Sequence, residues 1–397
     1  MKVTGLITEY NPFHNGHLYH IEKAKELTGA DYIIAVMSGN FVQRGTPAII
    51  SRQLRTRMAL LGGVDLVLEL PVNYATASAE LFAQGGISVL DGLGVVDSIC
   101  FGSECGDSKI LMDIAEVLIK EPKWYQTALK ENLKNGMTYP AARAAALPEY
   151  TWVLAEPNNI LGIEYCKALL RQNSSMLPVS VLRRGSGYHD TTLDGTYASA
   201  SAIRENLYSS KKNDIQKNIP LSVFPILEKE LQENGTISEN DFSQLLLYKL
   251  LLLKTPEELL VYADMSEELA NRIFKQRYRF LSFSQFADLL KTKELTRTRI
   301  NRALLHFLLD IRKELPEAAY GRILGFKKSS AELLTKIKQQ KKIPLISRPA
   351  DAETLLNKKQ QILFSKSAES DCIYELIAAQ KQNRLPVHEF QKQLVIL

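Results

Sequence analysis

Val3-Thr4-Gly5-Leu6-Ile7-Thr8-Glu9-Tyr10-Asn11-Pro12-Phe13-His14-Asn15-Gly16-His17 joins a short apolar run, a polar turn and the start of a helical pattern. Val3 to Ile7 is too short for a helix and reads as a buried strand. The pattern that follows, residues 17–28, reads as a helix. Working outward, the same alternation returns. Tyr32–Met37, Val64–Leu70, Val95–Phe101 and Val179–Leu182 are further strand candidates. Helical stretches fall at 51–62, 76–90, 107–119, 124–135 and 158–172. Buried strands separated by helices predict an α/β fold, a doubly wound parallel sheet with right-handed crossovers. Residues of about 105–150 supply helices without an obvious strand and read as a helical insertion.

The opening stretch also carries the chemistry. His14-x-Gly16-His17 lies where the first strand meets its first helix, at the carboxyl edge where such sheets bind ligands. A helix start offers free N–H groups and the positive end of a dipole, which suit phosphate. Gly16 is expected to leave room for a nucleotide. His14 and His17 are three apart, so both rings face one way. There they can donate hydrogen bonds to phosphate oxygens as charge builds during transfer. Neither G-x-x-x-x-G-K-[ST] nor G-x-G-x-x-G follows the strand, which argues against a P-loop enzyme and a dinucleotide dehydrogenase.

The 397 residues carry 49 Lys+Arg and 44 Asp+Glu, a net of +5 that is unevenly spread. Residues 1–208 have a net of −3 and residues 209–397 a net of +8. The polar stretch Ser209–Asp214 reads as a linker between a catalytic domain, 1–208, and a mainly α-helical basic domain, 209–397. In the latter, 245–253 is expected to be a core helix. Segment 293–314 is another, with a stripe of Leu295, Ile300, Leu304, Phe307, Leu308 and Ile311. Arg297, Arg299, Arg302 and Arg312 decorate it. A basic half suits a polyanion. Four scattered cysteines exclude a disulfide framework and a four-cysteine zinc site. No apolar run approaches the roughly 18–20 residues of a membrane span, and no signal peptide is evident, so a cytoplasmic protein is expected.

The pairing of His14-x-Gly16-His17 with Tyr197-Ala198-Ser199-Ala200-Ser201-Ala202-Ile203-Arg204 resembles the HIGH-motif nucleotidylyltransferase superfamily, whose second signature is a serine-rich turn ending in a basic residue. Ser199 and Ser201 are helix-cap candidates, and Arg204 a phosphate clamp. No lysine occupies the middle of this motif, which leaves charge stabilisation to Arg204, Arg183 and Arg184. Four blocks narrow the resemblance to the bacterial tRNA(Met) cytidine acetate ligases: Gly5–His17, Met37–Ala48, Phe101-Gly102-Ser103-Glu104 and Pro157-Asn158-Asn159-Ile160-Leu161-Gly162.

That resemblance implies a HIGH-type Rossmann-like fold and a reaction. ATP and acetate give acetyl-adenylate, and the acetyl group passes to N4 of the wobble cytidine of elongator tRNA(Met). It implies that His14, His17 and Arg204 serve catalysis. It implies that ATP is held by Ile7, Thr8, Glu9, Tyr10, Asn11, Pro12, Phe13, His14, Asn15, Gly16, His17, Leu18, Tyr19 and His20. Gly102, Asn159, Arg183, Arg184, Ser199 and Ser201 complete the set. Mg²⁺ is plausible as the companion of ATP. Asn40, Gln43 and Arg44 are expected to meet acetate, ATP or cytidine, and His189 is a loop histidine near the site. The alternatives are an adenylyltransferase for a small phosphorylated metabolite and a non-catalytic RNA-binding protein.

Overall fold

The structure is a computed structural model and describes residues 1–183, 196–208, 212–314, 316 and 318–397. The first half follows the expected alternation: β1 (Val3–Thr8), α1 (Asn15–Thr28), β2 (Tyr32–Ser38), α2 (Arg52–Leu61), β3 (Leu66–Leu70), α3 (Ala79–Gly92) and β4 (Ser98–Ser103). The insertion is helical, with α4 (Ser108–Lys120), α5 (Lys123–Lys134) and α6 (Tyr139–Ala145). Then come α7 (Pro157–Arg171), β5 (Leu177–Leu182) and α8 (Ala200–Tyr208). Strands β3-β2-β1-β4-β5 are neighbours in that order and all parallel. The order reverses at β1, which hydrogen-bonds to both β2 and β4. The crevice beyond the carboxyl ends of β1 and β4 is therefore the topological switch point, where ligands of such sheets bind.

Period-2 alternation sends successive side chains of one strand into two different cores. In β2, Ile34 and Val36 face one cluster with Phe82, Leu111, Ile163 and Leu363. Ile33, Ala35 and Met37 face another with Ile21, Met58 and Ile203. Both faces being covered explains why β2 reads as an unbroken apolar run.

The second half contributes α9 (Phe224–Glu233), α10 (Ser243–Leu252), α11 (Glu267–Gln276), α12 (Phe283–Leu290) and α13 (Arg297–Leu309). It then returns to the sheet with β6 (Gly321–Phe326), α14 (Ala331–Gln340), β7 (Leu345–Ile346), the long α15 (Lys358–Lys381) and β8 (Val395–Ile396). β6 pairs antiparallel with β3, and β7 and β8 flank β6. The sheet is thus mixed, and it is completed by strands after residue 209 rather than only before it. The reason is visible at β3. Its five residues are all buried, so it needs a neighbour on its open edge.

Helix α10 corrects an expectation. Residues 245–253 look like a core helix, yet only Leu246, Leu250 and Leu253 are buried, while Leu251 and Leu252 are 50% and 60% exposed. One helix face cannot bury the eight apolar residues that surround Lys249 in this run. The stripe on α13 behaves as expected: Leu295, Ile300, Leu304, Phe307, Leu308 and Ile311 are all buried. The helix is shorter than 293–314, starting after Thr296, whose hydroxyl accepts the Arg299 N–H, and ending at Asp310 in the left-handed region (φ 55°).

A buried ionic network ties the halves together. Arg52 of α2 meets Glu69 of β3 at 2.6 Å and also contacts Asp371 and Glu389. Arg322 of β6 meets Glu69 at 3.0 Å and also contacts Glu389. Every member is at least nine-tenths buried. No helix of the described residues is long and apolar enough to cross a membrane.

Candidate nucleotide site

After Thr8 the chain turns through Glu9–Phe13 and enters α1. His14 caps this helix in an extended conformation, and its Nδ1 accepts the Gly16 N–H at 3.0 Å. His17, one turn in, reciprocates: its Nδ1 accepts the His14 N–H at 3.2 Å. This is a capping box built from two histidines. An accepting ring nitrogen carries no proton, so each neutral ring holds its hydrogen on Nε2. The two rings stack with centroids 3.7 Å apart.

Electrostatics hold them neutral. Burial, then Arg183 and Arg204, pulls His14 down to about 3. Burial, then His14, His20 and Arg183, holds His17 well below the usual imidazole value. Burial and Arg183 bring His20 to about 4. Its Nε2 is buried without a partner. At neutral pH this helix start therefore offers uncharged N–H donors beside a positive dipole end.

Gly16 has a different first duty from the one expected. A Cβ there would come within 2.8 Å of His14 Cε1, so the glycine makes room for the capping ring. Arg204 donates to Asn11 O at 2.7 Å and to Ser201 Oγ at 3.1 Å, which joins the serine turn to the first turn. Ser199 is the cap of α8, its Oγ accepting the Ala202 N–H at 3.1 Å. Ser201 lies inside the helix and steadies Arg204 instead.

These groups surround a cavity of about 480 Å³ at the switch point. Of the expected residues, Ile7, Thr8, Glu9, Tyr10, Asn11, His14, Gly16, His17, Tyr19, His20, Gly102, Arg183, Ser199, Ser201 and Arg204 line it. Burial pushes the Tyr10 phenol far up, so it is a neutral hydroxyl. Five others do not line it. Pro12 is buried, and Phe13 is a wholly buried wedge beneath Tyr10 and His17. Leu18 packs into the α1 core. The Asn15 amide holds Thr196 O and Lys217 O at 3.1 and 2.8 Å.

Asn159 is a correction. Its Oδ1 accepts the Cys105 N–H at 3.0 Å and its Nδ2 donates to Val153 O at 3.1 Å. With its amide spent in a wholly buried place, it shapes the loop after β4, while Asn158, Ile160 and Leu161 reach the cavity. Asn40 is likewise spent, on Asp371 at 2.7 Å and the Arg52 N–H at 2.8 Å. Gln43 and Arg44 do line the cavity. Arg184 and His189 lie outside the described residues.

Sequence reasoning missed several contributors. Phe82, Tyr165 and Thr298 line the cavity, as does Tyr197 of the serine-rich motif, and Arg302, expected only as part of a basic helix, enters it from the second half. Arg302 is held by Asp264 through a two-pronged pair at 2.9 and 3.0 Å, leaving Nη1 unbonded. Gly45 (φ 73°) lets the loop after β2 lie on α13, since a Cβ there would strike the backbone of Asn301 and Arg302. Arg55, wholly buried, donates to Glu9 O at 2.7 Å and Ser38 O at 3.0 Å and also bonds Gly39 O. It thereby clamps the turns after β1 and β2. The stretch around it, Ser51-Arg52-Gln53-Leu54-Arg55-Thr56-Arg57, is polar and basic and gives no local sign of this burial.

Comparison with known proteins agrees with this geometry. The model of the HIGH nucleotidyl transferase family matches residues 1–387. A tRNA(Met) cytidine acetate ligase of Thermoanaerobacter sp. strain X514 is 44% identical over 388 residues, 95% of each chain. That of Acetivibrio thermocellus is 42% identical, covering 88% of this chain and 89% of the relative. Among solved structures, Thermotoga maritima TmcAL in its apo form superposes with a TM-score of 0.93 at 33% identity over the whole of both chains. The same protein bound with alpha-thio ATP gives 0.89 at 34%, again over the whole of both.

Proposed function

The chain belongs to the HIGH nucleotidyl transferase family and, within it, to the tRNA(Met) cytidine acetate ligases, and from that membership we propose how its cavity works. ATP lies across the switch point, with its phosphates at the start of α1. Acetate attacks the α-phosphate to give acetyl-adenylate and pyrophosphate. The acetyl group then passes to N4 of the wobble cytidine of elongator tRNA(Met), and AMP leaves.

The observation that carries this reading is the stacked, neutral pair His14 and His17. Their Nδ1 atoms are consumed by the cap, so the Nε2–H groups remain for phosphate oxygens. Held in place before the reaction, such donors stabilise developing charge without reorganising. Arg183 and Arg204 supply positive charge on the same wall. Mg²⁺ would arrive as the ATP complex. Among the described residues no three His, Cys, Asp or Glu side chains are grouped to hold an ion themselves.

Arg302 supports the role of the second half. It brings a guanidinium from α13 to the rim of a cavity otherwise built by residues 1–204 and Thr298. A basic half with an arginine at the cavity mouth suits an RNA that must present one splayed base. A tRNA substrate also places the protein in the cytoplasm. The metabolite adenylyltransferase alternative leaves Arg302 and the basic half without a task. The test is incubation with ATP, labelled acetate and unmodified tRNA(Met). Label on the wobble cytidine is expected, and a wild-type enzyme that leaves the tRNA unlabelled overturns the reading.

A further inference from the structure

We propose that Glu9 reads the amino group of the acceptor cytidine and takes its proton during acetyl transfer. The inference rests on the acetate ligase reading above and assigns the acceptor end of the same cavity, moving Glu9 there from the ATP-holding set that the family resemblance implies.

The cavity receives two anions, ATP and acetate. Its lining holds Arg44, Arg183, Arg204 and Arg302, yet Glu9 is its one acidic residue among those described. A carboxylate facing phosphates and acetate is repelled by both unless some other substrate offers it a donor. Cytidine does so: its exocyclic N4–H₂ is the donor that Glu and Asp side chains accept from.

The carboxyl group is positioned for that task. Glu9 Oε1 accepts the Gln43 N–H at 2.8 Å, which fixes the side chain and leaves Oε2 without a hydrogen bond. Its own backbone carbonyl is held by buried Arg55 at 2.7 Å. Gln43 belongs to the loop that Gly45 presses onto α13 beside Arg302. Glu9 therefore stands on the side of the cavity formed with the basic half, from which tRNA comes. Arg183, which lies over Gly102, marks the other side. Tyr165, whose buried phenol senses the Glu9 charge, also lines the cavity, with Phe101 at 5.3 Å between ring centroids. Aromatic rings of this kind stack splayed bases.

In the transfer step N4 attacks the acetyl carbonyl carbon. The N–C bond forms, the C–O bond to AMP breaks, AMP leaves with the electron pair, and the N4 proton passes to Glu9 Oε2. Atoms and charges balance without a further reactant.

The full-length Glu9→Gln variant tests this, since glutamine keeps an oxygen for the Gln43 N–H but cannot take the proton. Two steps are followed: acetate-dependent ATP–pyrophosphate exchange, and label transfer to unmodified tRNA(Met) transcript. Transfer is expected to fall by about 10²–10⁴-fold, the range of a general base, while exchange changes less than about threefold. A second readout is binding competition, without turnover, between transcripts carrying C or U at the wobble position, since U has no amino group to receive the acetyl. Wild type is expected to favour C by about tenfold or more, and the variant to lose that preference. Should Glu9→Gln unfold, Glu9→Asp keeps the carboxylate, and a retained preference for C with slowed transfer then supports the proposal. Exchange falling as far as transfer would assign Glu9 to ATP and overturn it. So would transfer and preference both surviving in Glu9→Gln. Wild type that exchanges but never labels tRNA defeats the acetate ligase reading instead.

Discussion

Two arginine systems stand where the halves of this protein meet, and they differ in what encloses them. Arg52 and Arg322 are enclosed with Glu69, Asp371 and Glu389, and every one of these groups is at least nine-tenths buried. Arg302 is paired with Asp264 just as squarely, yet it keeps one nitrogen unbonded and faces the cavity. A network closed off from solvent holds structure, whereas a braced arginine whose spare donor faces an open cavity is prepared to meet an anion. Charge alone does not separate them, because both are arginines opposite acids that lie far away in the chain.

Breaking the enclosed system should give the largest effect. Arg52→Ala leaves three buried carboxylates to share Arg322, with Lys392 3.7 Å from Glu389 as the other cation, and removing one partner of a buried pair costs about 3–5 kcal/mol. Burial pushes Glu69 up, but Arg322 and Arg52 outweigh it and hold the carboxyl below its usual value. Denaturant unfolding should show the full loss, with activity per folded molecule retained. A loss under about 1 kcal/mol would place this network among ordinary surface pairs.

The open system should behave in the opposite way. Arg302→Ala is expected to raise KM for tRNA by about tenfold, the worth of one charge-assisted contact, with acetate-dependent pyrophosphate exchange nearly unchanged. Arg302→Lys should not rescue it, since an ammonium cannot both mirror the Asp264 carboxylate and present a second edge. An equal loss of exchange and tRNA affinity would make Arg302 a structural residue like Arg52.

The smallest effect sharpens the contrast by pH. His14 and His20 have folded values of about 3 and 4, below the unfolded value of about 6.5. The unfolded chain therefore binds more protons in between. Their contribution to stability is complete above about pH 6.5 and is lost as pH falls toward the folded values. Imidazole ¹⁵N spectra of the ligand-free protein should show neutral Nε2–H rings for His14 and His17 down to about pH 5. A titration near pH 6.5 at either ring would contradict the shared cap.

Much of this was legible beforehand because it is local. The apolar run Val3–Ile7 followed by His14-x-Gly16-His17 specifies a strand, a turn and a capped helix from adjacent residues. The other four parallel strands and their helices follow from period and length in the same way. The motif Ser199–Arg204 is likewise local, and its arginine reaches the site as expected. Asn159 and Asn40 were misread because an amide of given position is equally able to bond backbone or ligand, and only its neighbours decide. The burial of Arg55 has no local signal, and Arg302 reads in the sequence as one of several arginines on a basic helix, because the partners that place each of them lie far off in the chain.

Local patterns in the sequence are enough to specify the fold class, the histidine-capped helix start at the carboxyl edge of the sheet and the division of charge between the halves. Hydrophobic periodicity and capping act over a few residues and need no distant partner. The tertiary structure alone decided that β6 closes the sheet against β3, that His14 and His17 share a cap that keeps them neutral, and that Glu9 faces the half carrying Arg302. Each of these depends on desolvation and on contacts between residues tens to hundreds of positions apart, which no local pattern encodes.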